Sequence, residues 1–204
     1  MARIDTLTNF LTDVAIAIKT KRGDTSVISA VNFDAEILNL PRDIDHKVLK
    51  GLIGGATIDI KIPYGVTTIR KYAFYNFNGL TSIAIPDSVT SIGNYAFCGC
   101  TGLTSITIPD SVTTIGYSAF NGCRGLTNVT MGNGLTKINS LIFGHCTALA
   151  VVDFSTYATI PTLTSADAFY NTPSNLIIKV PSALLDEWKA ATNWSVYADK
   201  IVGV

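Results

Sequence analysis

The chain has 204 residues, and its 15 basic and 15 acidic residues give a formal net charge of zero. This length accommodates one domain or one domain with a small addition. Hydrophobic residues make up 48% of the chain and charged residues only 15%. Because a neutral chain has no net field that attracts polyanions, we expect no nucleic-acid partner. No stretch approaches the roughly 18 consecutive apolar residues of a membrane helix, so we expect no membrane insertion.

The N-terminal stretch 1–20 is predicted to form an amphipathic helix. Its apolar residues recur at alternating spacings of three and four, which gives a heptad seam of about two and a half heptads. The seam consists of Ile4, Leu7, Leu11, Val14 and Ile18. We expect it to mediate oligomerisation, for example into a homotrimer. The alternative is a helix that packs on its own domain.

A second short helix is predicted within residues 24–41, where Val31, Phe33, Ile37 and Leu40 lie roughly on one face and Pro41 ends the pattern. Residues 1–46 are therefore assigned to a helical segment for attachment or oligomerisation. Ile58 and Ile60 then alternate with polar residues as in a strand. Residues 51–61, which contain this strand, are predicted to form the N-terminal cap within the solenoid domain, residues 47–181.

That domain is built from a sequence that occurs four times in direct succession, in copies of equal length without insertion. Each copy carries six apolar positions in the same columns, and a fifth, irregular copy follows up to Pro181. A fixed period of this size is typical of a solenoid, in which each coil buries its apolar side chains against its neighbours. The copies are IPYGVTTIRKYAFYNFNGLTSIA (62–84), IPDSVTSIGNYAFCGCTGLTSIT (85–107), IPDSVTTIGYSAFNGCRGLTNVT (108–130) and MGNGLTKINSLIFGHCTALAVVD (131–153).

Three local patterns within each copy predict its conformation. The segment Leu-Thr-Ser-Ile alternates apolar and polar residues, which predicts a strand with one buried face and a parallel sheet along one side of the coils. Val-Thr-x-Ile predicts a second, short strand. Ala-Phe with nearby Gly and Asn predicts a tight turn, for which a 3₁₀ conformation is one form.

Residues 182–204 are predicted to close the far end of the solenoid. Ser182 follows Pro181 and is the expected N-cap of a helix. Leu184, Leu185 and Trp188 are its expected buried face, and Trp194 and Tyr197 are expected to fold over the last coil.

The motif IPxxVTxIGxxAFxxCxxLTSI, clearest in Ile85–Ile106 and Ile108–Val129, resembles the BspA-like leucine-rich repeats. The resemblance covers about residues 62–181. It implies a curved right-handed leucine-rich-repeat solenoid with a parallel sheet. With the predicted N-terminal helices and C-terminal helical cap, we expect an α+β fold. It also implies a non-enzymatic role in binding or adhesion. The fourth copy departs from the pattern at Met131-Gly132 and Leu141-Ile142.

The start of the chain up to Leu40, ARIDTLTNFLTDVAIAIKTKRGDTSVISAVNFDAEILNL after Met1, resembles the N-terminal segment of tail-associated proteins in phages and prophages of Firmicutes. This resemblance implies a virion protein that contacts other virion proteins through its helices and binds a bacterial surface glycan or protein through its repeat. The start of the chain lacks the apolar run of a secretory signal, in keeping with assembly in the host cytoplasm. The alternatives are a bacterial surface adhesin and a purely structural decoration subunit.

Two faces of the solenoid are candidates for ligand binding. Strand alternation directs two columns of small, mostly polar side chains outward from the predicted sheet: Ser82, Ser105, Asn128 and Val151, and Ala84, Thr107, Thr130 and Asp153. The opposite face offers Arg70, Lys71, Asn94, Tyr117 and Asn139. For either face the alternative is a surface that only confers solubility.

The residues with chemical reactivity favour no enzyme, metal or cofactor. Cys100, Cys123 and Cys146 recur at one period and share a column with Phe77, which predicts buried packing. A metal site that adds Cys98 and His145 is the alternative, but this spacing is not that of known zinc sites. No Ser or Cys nucleophile has a recognisable base partner.

Overall fold

The structure is a computed structural model that describes residues 28–32, 58–62 and 64–204; for 28–32 and 58–61 it gives the backbone alone. The predicted helix over residues 1–20, and with it the oligomerisation seam, lies outside the described residues. Each of the sequence copies forms one coil, and we number the coils from the first copy at residues 62–84.

The described strands fall into a long set and a short set. After β1 at Ile28–Asn32, the long strands are β2 at Ile58–Lys61, β4 at Leu80–Ala84, β6 at Ser105–Ile108, β8 at Asn128–Met131, β10 at Val151–Asp153, β12 at Ile177–Val180 and β13 at Ile201–Gly203. The short strands are β3 at Thr68–Ile69, β5 at Ser91–Ile92, β7 at Thr114–Ile115, β9 at Lys137–Ile138 and β11 at Thr162–Leu163.

The long strands form the predicted parallel sheet along one side of the coils. Their order is β1-β2-β4 in one sheet and β6-β8-β10-β12-β13 in the next. Between β4 and β6 the Thr104 N–H donates to the Thr81 carbonyl at 3.3 Å. The register advances by one repeat, as in the pairing of Ile106 with Val129. The predicted parallel-sheet solenoid, with one coil for each repeat, is therefore confirmed.

The predicted helix within residues 24–41 is wrong for Ile28–Asn32. These residues form β1, which pairs in parallel with β2 and places Val31 opposite Ile60. On its own, the outer edge of β2 has backbone N–H and C=O groups without partners. A strand at residues 28–32 can pair with them, whereas a helix cannot. The β-branched side chains of Ile28 and Val31 favour the same outcome.

The short strands lie on a second side, in the orders β3-β5-β7 and β9-β11. Glycine follows two of these strands because the coils approach closely there. A Cβ on Gly93 would lie 2.4 Å from Lys71 N, and one on Gly116 would lie 2.3 Å from Asn94 N. In the fourth coil Asn139 takes this position, and its Nδ2 donates to the Ile115 carbonyl at 2.7 Å. The strand ladder is interrupted at the same place, between β7 and β9.

The third side consists of the predicted tight turns. Alternate N–H groups bond within the coil and to the next coil: Tyr75 N donates to Tyr72 O at 3.2 Å, whereas Phe74 N donates to Ala96 O at 2.7 Å. The within-coil bonds have 3₁₀ spacing, but their alternation with bonds between coils excludes a continuous 3₁₀ helix. In each of the first four coils two residues of the turn segment take positive φ, for example Leu141 at 52° and His145 at 57°.

The interior is a set of columns that run from coil to coil. All six predicted apolar columns are buried except at Ile85, which is half-buried. The phenylalanine rings stack at centroid distances of 5.0 to 5.7 Å from Phe74 through Phe97, Phe120 and Phe143 to Phe169. Offset stacking of this kind adds to the free energy gained by burying the rings.

The predicted C-terminal cap is confirmed, with one correction. A 3₁₀ turn at Ser182–Leu184 precedes helix α1 at Leu185–Ala190, so Ser182 lies inside the turn and does not cap a helix. Its N–H instead donates to the Val204 carbonyl at 3.2 Å. Trp188 and Trp194 are completely buried, and Trp194 Nε1 donates to the Pro161 carbonyl at 2.8 Å.

Candidate functional site

The long sheet brings the eight predicted ligand-binding residues into two adjacent columns. Parallel pairing aligns Ser105 with Asn128 and Val151, and it aligns Thr107 with Thr130 and Asp153. Ser82 and Ala84 occupy the same positions on β4. We call this surface the long-sheet face. It consists of Ser82, Ala84, Ser105, Thr107, Asn128, Thr130, Val151 and Asp153.

The exposed polar part of the long-sheet face lies on the second and third coils. Ser105, Thr107, Asn128 and Thr130 are exposed. Asp153 is half-buried, and its Oδ1 accepts a hydrogen bond from Ser155 N at 2.8 Å. Its carboxylate therefore stabilises the following turn.

Two residues that extend the long-sheet face are absent from the sequence prediction. Ile177 continues the Val151 column, and Lys179 continues the Asp153 column on β12. The Ile177 side chain is 40% exposed. Because the fifth copy contains an insertion, these two residues do not align with the earlier copies by the 23-residue period alone. The buried alternation of Ile178 and Val180 nevertheless predicts that Ile177 and Lys179 point outward.

The opposite face forms an open groove over β3, β5 and β7 with a volume of about 530 Å³. We call it the short-sheet groove. It is lined by residues 68–71, 91–94, 114–116 and Asn139, and Tyr117 adjoins it. The structure thus brings together the residues predicted for this face. Asn94 Oδ1 accepts from Tyr117 N at 3.1 Å, which fixes the asparagine beside the glycine floor.

A row of tyrosines borders the groove. The rings of Tyr72 and Tyr95 stack at 5.2 Å with an interplanar angle of 5°, and Tyr117 meets Tyr95 edge-on at 4.8 Å. The Tyr117 hydroxyl is the main cause of a raised pKa at Tyr95. The Lys71 Nζ lies 4.8 Å from the Tyr72 ring centroid, within the range of a cation–π contact.

The cysteine column serves packing, as predicted. Cys100, Cys123 and Cys146 are buried and free, and each thiol donates to the carbonyl of a phenylalanine one coil earlier at 3.0 to 3.1 Å. Burial raises the pKa of Cys100 to about 12. The Cys146 side chain and burial together hold the pKa of Cys123 well above its ordinary value. Cys100 and Cys123 therefore remain thiols at neutral pH.

Among the described residues, no three His, Cys, Asp or Glu side chains are placed to hold a metal ion together. His145 is exposed, and its Nδ1 lies 3.0 Å from Asn171 Nδ2, away from the cysteine column. Within the same residues, no helix is long and apolar enough to span a membrane.

Stacked parallel coils with buried side-chain columns define a β-solenoid of the leucine-rich-repeat class. The family described as the BspA type leucine rich repeat region matches residues 57–186 in six copies. The chain belongs to this family. The comparison with curated proteins yields no significant match.

Several solved structures are similar to the chain. A leucine-rich repeat protein of T. pallidum is 32% identical over 46% of this chain and 44% of its own, with a TM-score of 0.45. The pneumococcal vaccine antigen PcpA is 20% identical over 73% of this chain and 35% of its own, with a TM-score of 0.56. A leucine rich cell surface protein of Faecalibacterium prausnitzii is 19% identical over 61% and 54%, with a TM-score of 0.34. The chain thus spans less than half the length of the first two.

Proposed function

We propose that this chain is a non-enzymatic binding protein that recognises a bacterial surface glycan or protein through the long-sheet face. The observation that carries the proposal is the alignment of Ser105, Thr107, Asn128 and Thr130 as exposed polar side chains on paired strands. Because the strand backbones are already hydrogen-bonded, these side chains can contact a partner while the scaffold stays rigid. Asn128 is also oriented, since its Nδ2 donates to Thr127 Oγ1 at 2.9 Å. The family supports a binding role rather than a catalytic one.

Display at a cell surface is part of the proposal. The pneumococcal antigen, whose fold this chain shares, supports it. In this setting the repeat acts as an adhesin, and its partner is a component of a bacterial or host surface.

The test is binding of the fluorescently labelled full chain to a panel of intact bacterial cells, measured by flow cytometry. A matched pair of variants locates the site: Thr130→Lys on the long-sheet face and Thr101→Lys on the turn side. Both threonines are exposed, so both variants should fold. We expect about tenfold weaker cell binding for Thr130→Lys, because a lysine in a contact surface adds steric and desolvation costs. The Thr101→Lys variant should bind as the parent does. Equal binding by the two variants, or no cell bound by the parent, would contradict the proposal.

A second candidate is a tail-associated virion protein, which the resemblance of residues 1–40 to phage and prophage proteins favours. In that setting the heptad seam assembles the protein, and the repeat binds the host surface or decorates the particle. The seam is tested in the full chain with the double variant Leu7→Glu/Leu11→Glu. Light scattering should show an oligomer that dissociates in the variant. A monomeric parent would remove the seam argument.

A further inference from the structure

Charge is segregated around the coils. Between Ile62 and Asp153 the cations are Arg70, Lys71, Arg124 and Lys137, and three of them lie on the short-strand side. The acidic residues of the same stretch, Asp87, Asp110 and Asp153, lie at the end of the long strands or in the turn that follows. The short-strand side is therefore locally basic in a chain whose formal net charge is zero.

The short-sheet groove holds two of these cations and no carboxylate. Arg70 and Lys71 are both exposed, and neither forms an ion pair with any described residue. Lys137 extends the column of Thr68, Ser91 and Thr114 by one coil. Asp167, on the far side of Asn139, accepts a hydrogen bond from Ser140 Oγ at 3.0 Å. An anionic ligand in the groove would thus meet positive charge that no described carboxylate neutralises.

The groove also has polar groups spaced by one strand. The hydroxyls of Thr68, Ser91 and Thr114 stand on paired strands, and Ser91 Oγ donates to Thr68 Oγ1 at 3.0 Å. Two asparagines follow these strands. Asn94 bonds through its Oδ1 and Asn139 through its Nδ2. The other amide atom of each makes no hydrogen bond to any described residue. Together these groups offer donors and acceptors along a line that crosses three coils.

These features fit a sugar chain better than a peptide. The backbones of β3, β5 and β7 are paired with each other, so a peptide strand has no open edge to join between them. The apolar floor residues Ile69, Ile92 and Ile115 are at most 2% exposed, so no pocket receives an apolar anchor residue. Tyr117, 41% exposed at the rim, is a ring on which a sugar can stack.

We propose that the short-sheet groove binds an extended oligosaccharide that carries carboxylate groups. Arg70 and Lys71 pair with the carboxylates, the hydroxyl column and the two asparagines bond the sugar hydroxyls, and Tyr117 contacts a ring face. The inference goes beyond the proposed function, because it uses a different face from the long-sheet face, and it rests on the chain being a binding protein.

The probes are short oligogalacturonate and short hyaluronate, with methyl-esterified oligogalacturonate as the neutral counterpart and oligoglutamate as an acidic peptide. Binding to the full chain is measured by calorimetry. We expect at least one carboxylated sugar to bind, its affinity to fall with salt, and the ester to bind much more weakly. No binding of either carboxylated sugar would overturn the proposal, as would equal binding of the ester. Tighter binding of oligoglutamate would replace the glycan with an acidic peptide.

Two matched pairs of variants locate the site. Arg70→Gln/Lys71→Gln and Arg124→Gln/Lys189→Gln remove the same charge, the first inside the groove and the second outside it. We expect about tenfold weaker binding for the first pair only, as two partly exposed ion pairs are lost. Tyr117→Ala should weaken binding, whereas Tyr64→Ala should not, since Tyr64 lies outside the groove and is 90% exposed. Equal effects of the members of either pair would contradict the assignment.

The two proposals fail separately. Loss of oligosaccharide binding with retained binding to cells contradicts the groove alone. Retained oligosaccharide binding without binding to any cell contradicts the adhesion role alone.

Discussion

Neighbouring coils pair through strands on both the long-sheet side and the short-sheet side, but the two sides differ in the side chains that they accept. On the long-sheet side, strands of three to five residues pair between coils, and the outward positions vary from Ser105 to Asn128 to Val151 without a change of register. On the short-sheet side, strands of two residues are followed by Gly93 or Gly116, where a Cβ would enter the neighbouring coil. The long-sheet side therefore accepts different outward side chains, whereas the short-sheet side requires glycine where the coils approach. The short-sheet side is nevertheless the one with the groove.

The comparison predicts its largest effect at Gly116. In Gly116→Ala, the new Cβ would lie 2.2 Å from Asn94 Oδ1 and 2.6 Å from Asn94 Cα. Because backbone has to move, we expect a loss of about 3 kcal/mol in the free energy of unfolding. Denaturant titration measures it.

The control for Gly116→Ala is Gly122→Asn on the turn side. Gly122 has a φ of 70°, and a Cβ there meets nothing closer than 3.9 Å. His145 and Asn171 adopt the same conformation at equivalent positions, with φ of 57° and 55°. Asparagine tolerates this region well, so the variant should lie within about 0.5 kcal/mol of the parent. A comparable loss in both variants would show that close approach of the coils is not the restriction.

The cysteine column extends the comparison to the turn side and predicts a pH dependence. Burial raises the pKa of Cys100 from 9.0 to about 12, so the folded chain holds the thiol proton more tightly than the unfolded chain. Its contribution to stability is complete below pH 9.0 and is lost as the pH rises toward about 12. By pH 11, two units above the unfolded pKa, the loss should be about 3 kcal/mol.

Cys100→Ala isolates this contribution. The variant loses the thiol's hydrogen bond to the Phe74 carbonyl, so it should be about 1 kcal/mol less stable at pH 7. Its free energy of unfolding should nevertheless fall less steeply between pH 9 and 11 than that of the parent. Cys98→Ala should change the slope less, because Cys98 is only half-buried. Parallel pH profiles for the parent and Cys100→Ala would contradict the assignment.

On the long-sheet side some threonine hydroxyls bond the backbone of the neighbouring coil, whereas others belong to the exposed face. Thr127 Oγ1 donates to the Thr104 carbonyl at 2.9 Å, whereas Thr107 is an exposed member of the long-sheet face. We expect Thr127→Val to cost about 1 kcal/mol and Thr107→Val to cost almost nothing. Thermal unfolding of the two variants measures the difference. Equal costs would show that the hydroxyl columns do not distinguish scaffold from surface.

Much of the fold could be predicted because every coil has to bury the same apolar positions against its neighbours. The phenylalanine column from Phe74 to Phe143 follows from the period alone, and the burial of Trp188 and Trp194 follows from the need to cover the last coil. The strand β1 could not be predicted in this way. Its apolar residues fit either a helix or a strand over so few positions, and the open edge of β2 decides between them.

The candidate site shows the same division. Strand alternation sufficed to place the columns of Ser105 and Thr107 on the long-sheet face. It did not reveal that Asp153 is held by Ser155 N, because that bond depends on the turn after the strand. For the opposite face the sequence predicted the side chains but not the groove between them, since its shape depends on how closely Gly93 and Gly116 let the coils approach.

The smallest expected effect concerns Asn139, which takes the glycine position of the short-sheet side in the fourth coil. In Asn139→Gly the side-chain bond from Nδ2 to the Ile115 carbonyl, 2.7 Å long, is lost. The Gly93 and Gly116 N–H groups donate to the Ile69 and Ile92 carbonyls at 2.7 and 2.8 Å, and a glycine at 139 can do the same toward Ile115. The new backbone bond offsets the lost one, and glycine adds a small entropic cost, so stability should change by less than about 1 kcal/mol.

Hydrogen exchange distinguishes this repair from simple loss of the asparagine. The amide of residue 139 should become more protected in Asn139→Gly, because it gains a carbonyl partner between the third and fourth coils. Asn139→Ala is the matched control, since its Cβ keeps the coils apart and its side chain offers no donor; it should be less stable than Asn139→Gly. If the alanine variant were equally stable and its amide equally protected, a side chain at this position would not be the cause of the interrupted ladder between β7 and β9.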